Sequence, residues 1–323
     1  MRRSCASALA TTLMLTAVTA SAQTWPSRPI RWIVPYPPGG ITDTVTRLVT
    51  QRTAEALGQP IVIENRAGAN SIIGAELVAK AAPDGYTFLT VIAAHSANAT
   101  LYAGRLPFDV VKSFAPVSLV AVAPLILTTS NRLPAKDIRE LIDYAKKNPG
   151  KLSFGSSGIG AAAHLATELL KQTTGTFMVH IPYKGTAPAM QGLMGGEIDI
   201  LVDTPSSLMP AVRSGKIRGL AMFAARRVPG AEEVPTMAES GGPALEASTW
   251  VMALAPAATP RETVDRMSAT IAKVVNGAEM KGRLEQLGTI PGGTSSADTA
   301  KFLAAEIEQW AKVIKTAGVK ADD

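Results

Sequence analysis

The sequence predicts a two-lobed α/β protein in which two mainly parallel sheets, flanked by helices, are joined by two crossover strands. Short β-branched runs alternate with amphipathic helical runs along the chain. The alternation restarts near residue 117, after a first β-α-β-α-β unit. A chain of 323 residues with 46% hydrophobic and 18% charged residues has enough apolar material for more than one domain.

The first unit ends at residue 92. Short β-branched runs bounded by Gly or Pro predict its strands, and apolar residues at helical spacing predict its helices. Gly58 ends the first helix, and the turn Pro83-Asp84-Gly85 precedes the third strand. The predicted elements are strand 30–34, helix 42–57, strand 61–64, helix 71–81 and strand 87–92.

The second unit begins at a predicted crossover. Pro124 separates two predicted strands, and a central strand does not tolerate proline. Residues 226–247, rich in Pro, Gly and Glu, are typical of a return connection. We therefore expect residues 23–124 and 248–323 to form one domain and residues 125–247 the other. The predicted strands are 117–122, 125–129, 152–154, 178–182, 198–202, 217–224 and 250–255, and the helices are 137–147, 161–172, 186–194, 206–213, 261–275, 279–287 and 296–316.

The N-terminus has the pattern of a secretory signal peptide. A basic start, MRR, precedes an apolar run over residues 5–18 and an Ala20-Ser21-Ala22 cleavage signal. An N-terminal membrane anchor is the alternative, but a spanning helix needs about 20 apolar residues. We predict that residues 1–22 are removed and that the mature chain is exported to the periplasm. Cys5, the single cysteine, leaves with this segment, which excludes disulfides and thiolate chemistry from the mature protein.

The charge pattern argues against a nucleic-acid partner. The net charge is +6, and it falls to +4 when Arg2 and Arg3 leave with the signal peptide. The basic residues are scattered, whereas nucleic-acid binders concentrate them on one surface. A mild positive field gathers small anions, although solubility explains it equally well.

The loop PYPPGGITD at residues 35–43 is the first candidate binding element. Gly39 and Gly40, after Pro38, allow consecutive backbone N–H groups to converge, and Thr42 or Asp43 can cap the following helix. A helix N-terminus favours a carboxylate or phosphate, and without a Walker lysine a nucleotide phosphate is disfavoured. An ordinary strand-to-helix turn is the alternative interpretation.

The stretch GSSGIG at residues 155–160 repeats this arrangement in the second unit. Ser156 and Ser157 are suited to donate hydrogen bonds to a carboxylate. Gly158 and Gly160, with Ala163, also satisfy a loose G-x-G-x-x-A dinucleotide pattern, but no acid ends the next strand. Neither serine has the G-x-S-x-G context of a nucleophile. A purely structural turn stays open.

The histidines His95, His164 and His180 show no local zinc spacing. His95 follows a strand of the first unit, and His164 lies one turn inside the helix after GSSGIG, so these two are candidates for a shared cleft. A hydrogen-bonded packing histidine is the commoner case for each. His180 lies within an apolar strand, which predicts a structural role.

Two further residues end strands at the same predicted edge. Tyr183 is positioned to cover a ligand, with Lys184 beside it as a partner for an anion; a rim tyrosine and a solvated lysine are the alternative. Asp203 would repel an anion unless it orients a hydroxyl or binds an amine, and its alternative role is to cap the next helix.

Four spaced stretches, PYPPGGITDTVTR, ENRAGA with IGAELVAKAAPDGYT, GSSGIG with HLATELL, and VHIPYKG, resemble the extracytoplasmic solute-binding receptors of tripartite tricarboxylate transporters, the Bug (Bordetella uptake gene) family. The resemblance implies a type II periplasmic binding fold, no catalysis, no cofactor and a small carboxylate ligand. It implies that residues 37–43 hold one carboxylate and residues 156–160 the other end. It places His95 and Ser96 on the first-lobe wall, and Tyr183 and Asp203 on the second.

The chain departs from this family pattern at two places. Ala161 stands where the family usually has a hydroxyl residue, so one carboxylate contact is in doubt. Asn70 and Ser71 stand where the family prefers glycine. Either change is consistent with a ligand other than the family's dicarboxylates.

We therefore predict a monomeric receptor that closes on a carboxylated solute and delivers it to subunits of a tripartite tricarboxylate-type transporter. A sensor that feeds a signalling system is a related alternative. An exported enzyme, NAD-linked through GSSGIGAAA or serine-dependent through Ser157 and His164, is a second alternative. A structural or adhesive exported protein is a third.

Overall fold

The computed structural model describes residues 25–321, which form two lobes, each built on one sheet flanked by helices. The predicted signal peptide, its cleavage site after Ala22 and Cys5 lie outside the described residues. Within residues 25–321, no helix combines the length and apolar character needed to cross a bilayer.

The described strands are β1 (Ile30–Val34), β2 (Ile61–Asn65), β3 (Thr87–Val91), β4 (Phe114–Pro124), β5 (Ile126–Ser130), β6 (Ser153–Ser156), β7 (Val179–Pro182), β8 (Ile200–Asp203), β9 (Ile217–Met222), β10 (Ser248–Pro256) and β11 (Ile290–Pro291). The described helices are α1 (Ile41–Leu57), α2 (Ile72–Ala79), α3 (Ala94–Leu101), α4 (Ile138–Lys147), α5 (Ala162–Thr174), α6 (Thr186–Gly195), α7 (Pro205–Arg213), α8 (Arg261–Val275), α9 (Ala278–Gln286) and α10 (Ser296–Ala317). A short 3-10 turn, Ala69–Ser71, precedes α2.

The two-lobed α/β class is confirmed, and both sheets are mixed in strand direction. The first-lobe sheet has the order β11-β4-β10-β3-β1-β2, and the second-lobe sheet has the order β7-β6-β8-β5-β9. The strands β2, β1 and β3 are parallel, as are β7, β6 and β8. The crossover strands β4, β10, β5 and β9 add antiparallel pairs, because each enters or leaves a sheet from the opposite lobe.

The two crossings lie side by side at the hinge. The amide of Leu125, between β4 and β5, donates to the carbonyl of Ala247 at 3.1 Å. The amide of Phe223, just after β9, donates to the carbonyl of Leu125 at 2.8 Å. Ala247 in turn donates to the carbonyl of Phe223 at 3.1 Å, and all three residues are buried. This closed set of bonds ties together the only two crossings within residues 25–321.

The C-terminal helix α10 packs on both lobes. It contacts α3 and β4 of the first lobe and α5 of the second. The side-chain amide of Gln172 in α5 donates to the carbonyl of Val313 in α10 at 3.1 Å. Trp310 is 1% exposed and belongs to a core cluster with members in both lobes. The helix therefore covers the junction between the lobes beside the hinge.

Candidate functional site

The carboxyl ends of the parallel strands in the two lobes face each other. In the first lobe these are the ends of β1, β2 and β3, and in the second lobe those of β6, β7 and β8. The two edges meet at Gly160 of the second lobe, because a Cβ added there would collide with the Leu101 side chain and lie 4.0 Å from Asn70 Nδ2, both in the first lobe. Ligands of open α/β sheets bind outside the carboxyl ends of strands.

The conformation of the β1–α1 loop is fixed by the carboxylate of Asp43, in the first turn of α1. Gly39 has φ +87°, a conformation that favours glycine, and its N–H donates to Asp43 Oδ2 at 3.0 Å. Asp43 also accepts from Arg47 Nε at 2.9 Å and from Asn65 Nδ2 at 2.9 Å. Burial acts to raise the pKa of Asp43, but these bonds outweigh it, and the pKa is lowered. The carboxylate predicted to contact ligand therefore holds the loop.

The start of α1 offers backbone donors to the cleft. Gly40 is the N-cap, and no side chain among the described residues caps it. The first bond of the helix runs from Thr44 N–H to Gly40 O, so the N–H groups of the preceding helical residues have no intrahelical acceptor. Pro38, Gly39 and Gly40 are exposed, whereas Thr42 is 4% exposed. This loop thus presents uncharged backbone N–H groups at the facing edge.

The segment after β2 has an unusual backbone. Ala69, Asn70 and Ser71 have φ angles of 45°, 49° and 74°, three consecutive non-glycine residues in the left-handed region. Asn70 Nδ2 donates to Asn98 Oδ1 at 2.8 Å, and Asn98 Nδ2 donates to the carbonyl of Asn70 at 2.9 Å. The left-handed region costs about 1–2 kcal/mol per non-glycine residue. Strain of this kind is concentrated at functional sites.

Two neighbouring hydroxyls are buried here, that of Ser71 within the segment and that of Tyr36 beside it. The side-chain oxygens of Tyr36 and Ser71 are buried and have no hydrogen-bond partner among the described residues. Burial raises the pKa of the Tyr36 phenol, and the neighbouring Ser71 hydroxyl offsets this only in part. A Cβ added to Gly74 in α2 would lie 2.7 Å from Pro35 Cβ, so the start of α2 packs directly on the β1–α1 loop.

His95 and Ser96 are core residues, which corrects their predicted place on the cleft wall. Both are 0% exposed. The His95 ring packs against Phe108 and Phe114, and its Nε2 bonds to the carbonyl of Val110 at 3.0 Å. Burial lowers the pKa of His95 to about 4, so the ring is neutral. The Ser96 hydroxyl donates to the carbonyl of Ala93 at 2.7 Å, inside its own helix start.

The β6–α5 loop is supported from within by Ser156. This residue is 0% exposed, and its hydroxyl donates to Gly158 O at 3.0 Å and accepts from Gly158 N–H at 3.2 Å. The hydroxyl also bonds to His180 Nε2 at 2.7 Å. Because its own proton goes to Gly158 O, His180 is the donor in that bond. The hydroxyl of Ser156 thus makes all three of its hydrogen bonds within the second lobe. This leaves Ser157, half-buried, as the serine that faces outward.

His164 supports the same loop from the other side. Its Nδ1 accepts the N–H of Gly160 at 3.1 Å, and its ring stacks on His180 with the centroids 3.7 Å apart. Nε2 therefore carries the proton and lies 3.8 Å from Glu168 Oε1, which also pairs with Lys171. Burial is the largest cause that lowers the pKa of His164 to about 3 and of His180 to about 4. Both rings are thus neutral loop supports.

The helix α5 begins without a side-chain cap. Ala161 is its N-cap, and no described side chain takes over the donors of the first turn. The first bond of the helix runs from Leu165 N–H to the carbonyl of Ala161. The missing hydroxyl noted in the sequence therefore leaves backbone N–H groups as the donors at this end.

Tyr183 and Asp203 lie at the second-lobe edge but are engaged within it. The Tyr183 ring lies over Gly192, where an added Cβ would collide with its hydroxyl, and that hydroxyl is 3.4 Å from Glu197 Oε2. Asp203 accepts from the Thr186 hydroxyl at 2.7 Å and from Thr204 N–H at 2.7 Å. Burial raises the pKa of Asp203, and these bonds act against it. Asp203 thus orients the start of α6.

A cavity of about 850 Å³ lies elsewhere, at the rear of the hinge beside β11 and α10. In the first-lobe sheet, β11 is at the edge opposite β2, so the cavity is separate from the facing strand ends. The carboxylate of Glu306 lines it, and one oxygen accepts from the indoles of Trp250 at 2.7 Å and Trp310 at 2.9 Å.

Neither serine of the β6–α5 loop combines solvent access with a histidine partner within residues 25–321. Ser156 bonds to a histidine, but it is fully buried and therefore inaccessible to a substrate. Ser157 has no histidine partner among residues 25–321, and the Nδ1 of His164 is occupied by Gly160. No group of three or more His, Cys, Asp or Glu within the described chain is placed to hold a metal ion. What the facing edges offer is a set of backbone donors from two lobes.

Comparison with known proteins gives a consistent match across both lobes. A family model described as the tripartite tricarboxylate transporter family receptor matches residues 45–319. Protein BugT of Bordetella pertussis is 36% identical over 309 residues, which cover 94% of each chain. The structure of R. palustris Rpa4515 with adipate is 37% identical with a TM-score of 0.84, covering 92% of this chain and 99% of that one. MatC from Rhodopseudomonas palustris with bound malate is 32% identical with a TM-score of 0.79, covering 90% and 100%.

Proposed function

Because the chain belongs to the tripartite tricarboxylate transporter receptor family, we propose that it captures a small carboxylated solute between its lobes and delivers it to a membrane transporter of the tripartite tricarboxylate type. One observation carries the proposal: two helices, α1 and α5, begin without side-chain caps on facing edges of opposite lobes. Relatives solved with adipate and malate support a small dicarboxylate as the kind of ligand.

Physical chemistry explains why such an edge suits a carboxylate. Free N–H groups and the helix dipole together favour negative charge at a helix N-terminus. An anion between two such termini receives hydrogen bonds from both lobes, and these bonds exist only when the lobes are closed. The difference in ligand contacts between open and closed states then favours closure.

The proposed donors to the ligand are groups that the loops leave free. In the first lobe they are the N–H of Gly40 and the first N–H groups of α1, with that of Thr42 among them. In the second lobe they are Ser157 and the first N–H groups of α5. Pro38, Gly39, Gly158, Gly160 and Tyr183 line the edges around these donors, and the N–H groups of those three glycines are already bound within the loops. Asp43, Ser156, His164 and Asp203 belong to the site as supports, since their polar atoms already bond within the protein.

The cellular context follows the family. We propose that the protein works in the periplasm as a monomer, without a cofactor and without chemical change of its ligand. We place the domain boundaries at residues 124/125 and 247/248, which the hydrogen bond from Leu125 to Ala247 at the hinge supports.

A thermal-denaturation screen of residues 23–323 tests this function. The protein is unfolded and refolded to strip carried ligand, then heated with citrate, succinate, malate, aspartate, glutamate, adipate and benzoate, and with NAD and neutral sugars as controls. A ligand at about 100 times its Kd stabilises the fold by about 2.7 kcal/mol, a shift of a few degrees. Stabilisation by carboxylates alone supports the proposal. Stabilisation by NAD alone, or by nothing in the panel, refutes it.

A further inference from the structure

We propose that Asn70 makes the cleft select carboxylates that carry a hydroxyl or amino group beside the carboxylate over unsubstituted aliphatic diacids. This inference rests on the proposed function and assigns a specificity-determining residue to the same site. The sequence marks Asn70 as a departure from the family's glycine but assigns it no ligand contact.

The hydrogen-bond pattern fixes which atom of Asn70 is free. A backbone carbonyl only accepts, so Asn98 must donate its Nδ2 to the carbonyl of Asn70. Asn98 Oδ1 is therefore the acceptor toward Asn70, and Asn70 must donate its Nδ2. The orientation of both amides follows from the network. Asn70 Oδ1 has no partner among the described residues, and it is an acceptor.

The side-chain amide that carries this acceptor lies where the lobes meet, because its Nδ2 is 4.0 Å from the position that a Cβ on Gly160 would take. Asn70 is half-buried, and its amide approaches Gly160 of the second-lobe loop. Its partner Asn98 is 1% exposed, so the amide pair is anchored in the first-lobe core. A solute held between α1 and α5 lies beside the loop that carries Gly160.

The strained backbone holds the amide in this position. Asn70 takes φ 49° between two other left-handed residues, Ala69 and Ser71. Asparagine tolerates this conformation better than most residues. The reciprocal bonds to Asn98 use the carbonyl and the amide of Asn70 together, so backbone and side chain are fixed as one unit.

A fixed acceptor discriminates between ligands by the donor they bring. A hydroxyl or ammonium next to a carboxylate donates to Oδ1 and replaces the water that closure removes. A methylene at that position leaves the oxygen desolvated and unpaired, which is the costly case for a polar group. Ala161 supplies no side-chain donor on the opposite lobe to compensate.

Isothermal titration calorimetry with matched ligands tests the inference. Two series differ only at one carbon: succinate, malate and aspartate, and glutarate, 2-hydroxyglutarate and glutamate. For the wild-type protein we expect the Kd of a hydroxy or amino acid to be about tenfold lower than that of its parent diacid. Asn70→Gly, which keeps the left-handed backbone without the amide, should reduce that ratio to about twofold or less. Ser71→Gly frees the adjacent backbone without removing the acceptor, and it should retain the full ratio.

The outcomes separate the inference from the proposed function. A wild-type protein that binds none of these acids contradicts the proposed function itself. Binding without preference in the wild type, or an unchanged preference in Asn70→Gly, overturns the role of Asn70 and leaves the receptor function intact. A ligand without the donor covers the case in which the glycine variant does not fold. 2-Methoxysuccinate keeps the substituent of malate but has no hydroxyl proton, so it should bind the wild type no more tightly than succinate. Binding as tight as that of malate also overturns the inference.

Discussion

The buried histidine beneath the second-lobe loop predicts a specific loss of stability in acid. His164 is 4% exposed, and its Nδ1 accepts the N–H of Gly160 at 3.1 Å, which requires an unprotonated nitrogen. Its pKa is lowered to about 3, chiefly by burial, whereas an unfolded histidine has a pKa of about 6.5. A group with a lowered pKa contributes stability that is complete above the unfolded pKa and is lost as the pH falls toward the folded pKa.

The size of the effect follows from this interval. At about pH 5 the unfolded histidine is protonated and the folded one is neutral. Because pH 5 lies about 1.5 units below the unfolded pKa, protonation favours the unfolded state by about 2 kcal/mol. His164→Asn removes the titration and keeps an oxygen near the position of Nδ1 for Gly160. The variant loses the stack on His180, so at about pH 7.5 it should be less stable by about 1 kcal/mol. At about pH 5 it should equal or exceed the wild type.

Urea denaturation of both proteins at the two pH values measures this difference. His95→Gln is the matched control, because His95 is also buried with a pKa of about 4 but lies in the first-lobe core. It should show a similar relief in acid without affecting the loop at Gly160. If the wild type and His164→Asn lose stability in parallel between the two pH values, His164 titrates as an exposed histidine and the assignment of its proton is wrong.

Three further substitutions test the supports of the site and hinge by urea denaturation. Ser71→Gly should raise the free energy of unfolding by roughly 0.5–1 kcal/mol, since glycine takes φ 74° without a Cβ; an unchanged or lower value contradicts the strain. Glu306→Ala should lower the free energy of unfolding by about 2–4 kcal/mol, because it leaves the indoles of Trp250 and Trp310 without an acceptor. Glu306→Gln keeps an acceptor oxygen and should cost less than half of that, so equal losses of stability in the two variants refute this account. Asp43→Asn should cost about 1–2 kcal/mol near pH 7. The cost should decrease progressively as the pH falls below the unfolded pKa of about 3.9, because acid then protonates the carboxylate; a loss independent of pH excludes the charge as the cause.

Local pattern was sufficient for most elements of the fold. The predicted bounds of β1 (30–34) and α8 (261–275) agree with the structure, because apolar periodicity and Gly or Pro boundaries act within one segment. The helix α3 was missed, since its sequence AHSANATL has small residues in place of an apolar stripe. The antiparallel direction of the crossover strands was also not predicted. It depends on the lobe from which a strand enters the sheet and not on the residues of the strand itself.

The site, too, was predicted where local sequence determines it and missed where it depends on contacts between strands. The two glycine-containing loops were predicted from strand-to-helix transitions, and both lie at facing strand ends. The sequence analysis predicted a hydrogen bond from the Ser156 hydroxyl to the ligand, because it considered each loop without its neighbouring strands. The pairing of β6 with β7 sets His180 opposite Phe154, on the face that Ser156 shares, and register between strands is not readable from either strand. The sequence did contain one indication of this contact, which is that His180 is a polar residue within the otherwise apolar strand that follows α5.

Several polar groups of the site are already hydrogen-bonded within the protein, which lowers the entropic cost of binding a ligand. The hydroxyl of Ser156 and the carboxylates of Asp43 and Asp203 form their bonds before any ligand arrives, so the loops need no ordering when it binds. At the facing edges, the groups without a partner among residues 25–321 include backbone donors on each lobe and the acceptor of Asn70. A ligand that bridges both edges satisfies them together, and neither lobe can do so alone. The free energy of these bonds is therefore available only when both lobes contact the ligand, and binding shifts the population toward the closed state.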